Sequence, residues 1–427
     1  MFRDKDQIVS FFLIFYMASL ALAKWWNLPV SGFKFQLPEV IFLMIAGLAV
    51  LGRIPLRWRG FDRLDWGVTA LVGGALAGAA GGDWAGSLPG MLGLSYLYVS
   101  YLLFSRIEVV DPFALVRKGF LYAALLVSLG GIAGILWWYW AGANFLVHEK
   151  YLPYWGEGVR AASFVRHPDV VMNLGVYALI FLGANHWSRL DKKGGRISWF
   201  FLIVIVLGML LSFSKFIILL PVMMVFVFFR LKKRISAFLK WGLYVLLPAG
   251  VLFFLLITHL FFISNKNAAP PQKKMEAFIT DKLVWEGEGL KVLETAYLPL
   301  KRLAVRAGLQ NIPFGIGMGQ LPQFIDQQQQ AGRAPDIPLY HAHSSYWGLW
   351  AEAGLLGGIG GLFFLYSLFR TMWKWGKREK KPEDRAYWIA VSSMLVYVLV
   401  EGLVLDGLFF RQHWWLLVMV SWRFYKK

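Results

Sequence analysis

Two histidines one residue apart open the densest run of reactive side chains in this sequence. The run is His341-Ala342-His343-Ser344-Ser345-Tyr346-Trp347, followed by Glu352-Ala353-Gly354-Leu355-Leu356-Gly357. An imidazole has an ordinary pKa close to neutrality, so a histidine at the mouth of a cavity can take a proton from a hydroxyl group. On a helix beginning near 343, steps of 3.6 residues bring His343, Trp347, Trp350, Gly354 and Gly357 onto one face and turn Glu352 away. The glycines would let a neighbouring helix approach closely. The spacing therefore predicts His343 at the outer end of a helix, over a cavity, with His341 and Tyr346 as accessory groups. The alternative reading is an interfacial histidine that caps its helix.

Basic residues recur where such a site could use them: Arg160, Arg166, Lys215, Arg302, Arg306 and Arg411. A guanidinium offers a planar fork of donors matched to phosphate oxygens. Several such groups gathered around one cavity would hold a diphosphate without a metal. Taken singly, each is equally a cation reaching for lipid headgroups. Arg411 follows Leu408-Phe409-Phe410 and needs a partner, for which Asp406 and Glu401 are candidates. Asn311-Ile312-Pro313-Phe314-Gly315-Ile316-Gly317-Met318-Gly319 is a Pro/Gly turn whose amides either cradle an anion or only position the loop. There is no cysteine, which excludes thiol nucleophiles and disulfides. His148, His167, His186, His259 and His413 show no ligand spacing. Glu286-Gly287-Glu288 reads as a surface pair. No metal and no cofactor is expected.

The elements that must carry these groups are membrane helices. Of 427 residues, 58% are hydrophobic and only 16% charged, with 17% aromatic and 21 Trp. Mean hydropathy is +0.54. A soluble or disordered chain would be far more charged. Crossing a bilayer takes about 20 apolar residues. About twelve segments qualify, near 8–24, 37–52, 66–82, 88–105, 117–141, 168–186, 197–211, 213–230, 240–263, 345–370, 386–404 and 408–424. Arg3, Lys5, an apolar stretch and Ala21-Leu22-Ala23 imitate a secretory leader, but the segment is read as a first span. Ser212-Phe213-Ser214-Lys215 breaks one long apolar run into two helices. Lys215 must then reach a surface or an aqueous cavity.

The net charge of +19 follows the loops. With a cytoplasmic amino terminus, most Lys and Arg fall in alternate loops, for example Arg53/Arg57/Arg59/Arg63, Arg189 to Arg196, Arg230 to Arg234 and Lys374 to Arg385. That is a positive-inside pattern, so no nucleic-acid partner is expected and both termini are placed in the cytoplasm. The predicted class is an all-α polytopic integral membrane protein. Residues 1–263 form the first nine spans, 264–344 one long, partly helical outer loop, and 345–427 the last three spans. Within the loop, the segment 272–312 is expected to form one or two short helices, and Pro270-Pro271 and the Gln327 to Gln330 run belong to it.

The sequence resembles the bacterial O-antigen ligase and polymerase superfamily in four places, in that family's order. His343-Ser344, nine residues, Gly354, two residues and Gly357 is similar to the family's His-containing motif. Arg302, Arg306 and Pro313-Phe314-Gly315-Ile316-Gly317 look like its Arg helix followed by Pro-x-x-Gly-x-Gly. Arg160 to Phe164 with His167-Pro168-Asp169 resembles a third stretch, with Ser163 for the usual Gly and Asp169 for Asn. Ser214-Lys215 stands where the family commonly has Ser-Arg. The resemblance implies a GT-C-like fold in the bacterial inner membrane with the site on its periplasmic side. It also implies metal-independent, inverting transfer of a glycan from undecaprenyl diphosphate to a sugar hydroxyl. The acceptor would be lipid A–core (ligase), a second lipid-linked repeat (polymerase) or a protein. His343 would position or deprotonate the acceptor hydroxyl, and Arg160, Arg166, Lys215, Arg302 and Arg306 would hold the diphosphate. The reading from a different class is a transporter of lipid-linked glycan, which would carry internal repeats and charges at the mid-depth of several spans.

Overall fold

The computed structural model describes residues 5–25, 27–30, 33–57, 59–152, 156–188, 199–232, 247–265, 279–378, 381–406 and 411–423. Arg3, Arg189 to Arg196, Lys233-Arg234, Pro270-Pro271 and Leu408 to Phe410 lie outside the described residues.

The chain is predominantly helical. In order it forms α1 (Lys5–Ser19), the hairpin β1 (Asn27–Val30) and β2 (Phe33–Gln36), α2 (Leu37–Val50), α3 (Arg63–Gly81), α4 (Trp84–Phe104) and α5 (Pro112–Ala141). A second antiparallel hairpin, β3 (Val147–Leu152) and β4 (Gly156–Ala161), leads to α6 (Pro168–Ser188), α7 (Trp199–Leu211), α8 (Leu219–Lys232) and α9 (Leu247–Leu260). Then come β5 (Phe261–Asn265), β6 (Ile279–Glu286), β7 (Leu290–Thr295), α10 (Tyr297–Gln310), α11 (Leu321–Gln330), α12 (Ser345–Arg378), α13 (Pro382–Glu401) and α14 (Arg411–Arg423). A helix therefore lies in each apolar segment of the sequence. Six helical stretches among the described residues are long and apolar enough to cross a membrane: Lys5–Leu22, Arg63–Gly81, Trp84–Phe104, Pro112–Ala141, Pro168–His186 and Ser345–Trp375. The others are shorter, so twelve full spans are not established by helix length.

The first segment belongs to the core: Leu13, Tyr16 and Met17 are buried within the same apolar cluster as Phe120 of α5. Helices α3 and α12 pack at very short range. A Cβ at Gly74 would overlap the Leu356 carbonyl, one at Gly78 the Ala353 backbone, and one at Gly360 the Ala70 carbonyl. Small residues let two backbones touch, and dispersion between them then holds the pair where lipid offers no hydrophobic drive.

The long segment differs from expectation. Part of 272–312 is strand: β5, β7 and β6 form an antiparallel sheet in that order, with Phe261 opposite Glu294 and Leu283 opposite Leu293. Leu300, Leu303, Ala304 and Ala307 of α10, Leu321 and Ile325 of α11, and Ala342 form a separate small core. Gln329, from the glutamine run in α11, donates to the Pro335 and Ile337 carbonyls and closes the following turn.

The Pro/Gly turn is a positioning element. Its amides at Ile316 and Gly317 donate to the Ala351 and Glu352 carbonyls, so these two are not available to an anion. The turn docks where α12 breaks. Gly354 has φ 58 and ψ −149 and interrupts the helix, with the Pro313 carbonyl and Gly315 nitrogen occupying the space a Cβ would need. The single helical face expected from His343 to Gly357 is therefore absent.

Candidate active site

His343 precedes α12 rather than sitting on it. Its φ of 46 is left-handed, a conformation that costs a residue with a Cβ about 1–2 kcal/mol. Three contacts hold it there. The His343 and Ser344 N–H groups donate to the two carboxylate oxygens of Asp406, at 3.0 and 3.1 Å, and Lys301 Nζ donates to the His343 carbonyl at 2.7 Å. Ser345 N–H and the Ser344 hydroxyl donate to the Gly402 carbonyl. The segment joining α13 to α14 thus serves as the cap of α12.

The ring of His343 stands edge-on to Tyr297, with centroids 4.8 Å apart, and near Tyr340. Burial first, then the positive charges of Lys301, His341 and Lys215, push its pKa down to about 3. The imidazole is therefore uncharged at neutral pH and able to accept a hydrogen bond from a hydroxyl. Burial raises the Tyr297 phenol to about 12, so that hydroxyl stays protonated.

His343 lines a cavity of about 540 Å³ together with His341, His167, Tyr340, Glu352 and Asp406. His341 Nδ1 lies 3.4 Å from Glu352 Oε1, and this contact raises the His341 pKa. Glu352 thus faces the cavity, opposite to the helical projection. Ser345 also lines a second, almost wholly apolar groove of about 390 Å³ that runs along Trp347, Trp350 and Ile359 of α12 to Trp414 of α14. Tyr346 lines that groove and donates its hydroxyl to the Leu399 carbonyl. It belongs to the groove rather than to the His343 cavity.

The cations divide. Lys215, in the tight turn after α7, lies 2.9 Å from His259 Nδ1 and bears on His343. Arg160 is buried, donating to the Ser212 carbonyl at 2.7 Å and to Asp169 at 3.2 Å. The Ser214 hydroxyl also donates to Asp169. These bonds tie the α7–α8 break to the start of α6 beside the site. Arg166 departs from expectation: it is exposed, with its guanidinium 5.5 Å from the Phe145 ring. Arg302 also turns away. Its side chain is 62% exposed and lies 3.7 Å from Glu294. Arg306 falls on the flank of α10 opposite Lys301. Arg411 pairs with Glu39 and Gln36 of the α2 entrance, not with Asp406 or Glu401.

Arg160→Ala should leave Asp169 a partly buried, half-unpaired charge and destabilise the protein by about 3 kcal/mol. Arg302→Ala should stay within about 0.5 kcal/mol. Paired thermal-denaturation midpoints check both, and equal shifts would contradict these placements.

Lys301, His259, Tyr297 and Asp406 are the site residues that spacing did not reveal. His259 stacks on Tyr297 with centroids 4.1 Å apart, and its Nε2 lies 3.1 Å from Lys301 Nζ. A helical projection of α10 holds a usable signal: the buried Leu300, Leu303, Ala304 and Ala307 leave Tyr297, Lys301 and Gly308 together on one flank and Arg302 farthest from the apolar stripe. Compared with known proteins, the chain matches no family model and no curated sequence.

Proposed function

We propose that this membrane protein is a glycosyltransferase that moves a glycan from a polyprenyl diphosphate, undecaprenyl diphosphate in bacteria, to a hydroxyl acceptor. Ligation to lipid A–core is the first reading, and polymerisation of lipid-linked repeats or transfer to protein the alternative. The carrying observation is a histidine, His343, fixed through its backbone by Asp406 and Lys301 on the wall of a cavity that also holds His341, Glu352 and Asp406 and shares Ser345 with an apolar groove. The cavity suits a sugar hydroxyl and the groove suits part of an isoprenoid chain. Lys215 and Arg160 supply positive charge for the leaving diphosphate. In this reading the twelve helical segments cross the inner membrane, both termini are cytoplasmic, and the site opens to the periplasm.

The test is reconstitution of the purified chain with a polyprenyl-diphosphate-linked glycan and either lipid A–core or a second lipid-linked glycan. One added glycan indicates ligation and a ladder indicates polymerisation; no product with any acceptor would refute the transferase reading. Transfer is expected to persist in EDTA, because the ammonium and guanidinium groups already provide charge. Loss of activity restored by a divalent ion would contradict that.

A buried Glu401–His413 pair, 3.2 Å apart and joined to Asn173 and Tyr397, favours a second reading as a lipid-linked glycan transporter. Movement of intact donor across a vesicle bilayer without any acceptor would select it.

A further inference from the structure

His259 is approached by a lysine on each side of its ring. Lys215 Nζ is 2.9 Å from Nδ1 and Lys301 Nζ is 3.1 Å from Nε2. A neutral imidazole has one N–H and one lone pair, and an ammonium group only donates. Two ammonium groups therefore cannot both be hydrogen-bonded to this ring, because one of them would face an N–H. An imidazolium between them would add a third positive charge to the row. The row closes only when one lysine is an uncharged amine that accepts the ring N–H.

Lys301 fits that place. Besides His259, its Nζ contacts two carbonyls, His343 O at 2.7 Å and Ala342 O at 3.4 Å. Two N–H donors and one lone pair, the complement of a neutral amine, match two carbonyls and one ring N–H. Burial lowers Lys301 to about 8, partly offset by Asp406. The surrounding groups are His259 of α9, Lys215 from the α7–α8 turn, His341 and His343 before α12, Asp406 before α14, and Tyr297 one turn earlier on α10.

We infer that Lys301 is uncharged in the active protein, kept so by the Lys215–His259–Lys301 row, and that it ends up holding the proton released by the reaction. This rests on the transferase reading. In that reaction the acceptor oxygen bonds to the sugar anomeric carbon, and the bond from that carbon to the diphosphate oxygen breaks. The bonding pair leaves with the diphosphate, which gains one negative charge, and the hydroxyl proton must go to a base. Burial weakens the His343 ring as a base, so it does not retain the proton. On Lys301 the proton becomes an ammonium charge beside His343 at the moment the leaving group becomes more negative.

The experiment uses the full chain labelled with [13Cε]lysine in lipid nanodiscs. The resonance lost in Lys301→Arg, or in Lys301→Gln if the first variant does not insert, belongs to Lys301. It should titrate near pH 8, while ordinary lysines titrate at about 10.4. In His259→Phe, which keeps the stack on Tyr297 but removes the ring N–H, the midpoint should move up toward the ordinary value. A Lys301 resonance that remains ammonium past pH 10 overturns the inference, as does a midpoint unmoved by His259→Phe. In the transfer assay, the rate should rise about tenfold per pH unit up to pH 8 and then level. Lys301→Arg, permanently charged, should lose that rise. Transfer that proceeds with a charged Lys301 defeats this inference alone. A neutral Lys301 in a chain that transfers no glycan defeats the transferase reading and, with it, the proton's proposed role.

Discussion

Replacing His343 with alanine should abolish glycan transfer while leaving the chain folded and membrane-inserted. The ring is the uncharged acceptor on the cavity wall, and removing a positioned proton acceptor costs about 10²–10⁴ in rate. The fold should tolerate the change, because the contacts that fix residue 343 use its main chain: N–H to Asp406 and C=O to Lys301. Alanine meets the same left-handed backbone cost that histidine already bears. His343→Gly, which removes that cost, should be equally inactive and at least as stable. The measurements are initial transfer rate with the reconstituted donor and the thermal midpoint of the same preparations. A rate within tenfold of the parent would remove the imidazole from the reaction, whereas inactivity accompanied by unfolding in both variants would show a structural role.

Gly354→Ala should be strongly damaging for a single added methyl group. Its φ of 58 with ψ of −149 lies in a region open essentially to glycine alone. The added Cβ would also overlap the Pro313 carbonyl and the Gly315 nitrogen, which are backbone atoms and cannot rotate away. Together these cost about 4 kcal/mol or more. If α12 straightened to relieve the strain, the turn at 313–317 would lose its seat and its bonds to Ala351 and Glu352. Yield of folded protein and thermal midpoint are the readouts. Gly358→Ala is the control: only the Trp350 ring comes near, at ordinary contact distance, so it should be nearly neutral. Comparable behaviour of the two would show that the break at Gly354 carries no weight.

Much of the scaffold could be read from composition. Apolar runs of the length a bilayer requires gave a helix in each expected segment, because a backbone in lipid must satisfy its own hydrogen bonds. The break at Ser212 to Lys215 was legible for the same reason: a lysine cannot remain in hydrocarbon. The prominence of His343 was also legible from the cluster around it. The cations that face the site are less legible. Arg302 and Arg306 seemed suited to a diphosphate by residue type, yet Lys301 faces the site, because rotation about α10 is fixed by the apolar stripe of Leu300, Leu303 and Ala307. The strands β5 to β7 are not legible because they are short and carry no clear two-residue periodicity.

The sequence by itself determined a predominantly helical chain with helices apolar enough to cross a membrane, the asymmetry of its basic segments, and a histidine-rich start to one long helix. These depend on local composition and on the thickness of a bilayer. Only the tertiary structure decided which groups gather around His343. Asp406 is 63 residues from His343 and Lys301 is 42 residues away, and His259 lies between one lysine from the α7–α8 turn and another from α10. Contacts across such separations arise from how helices rotate and approach when small residues and apolar stripes pack, which no local pattern along the chain specifies.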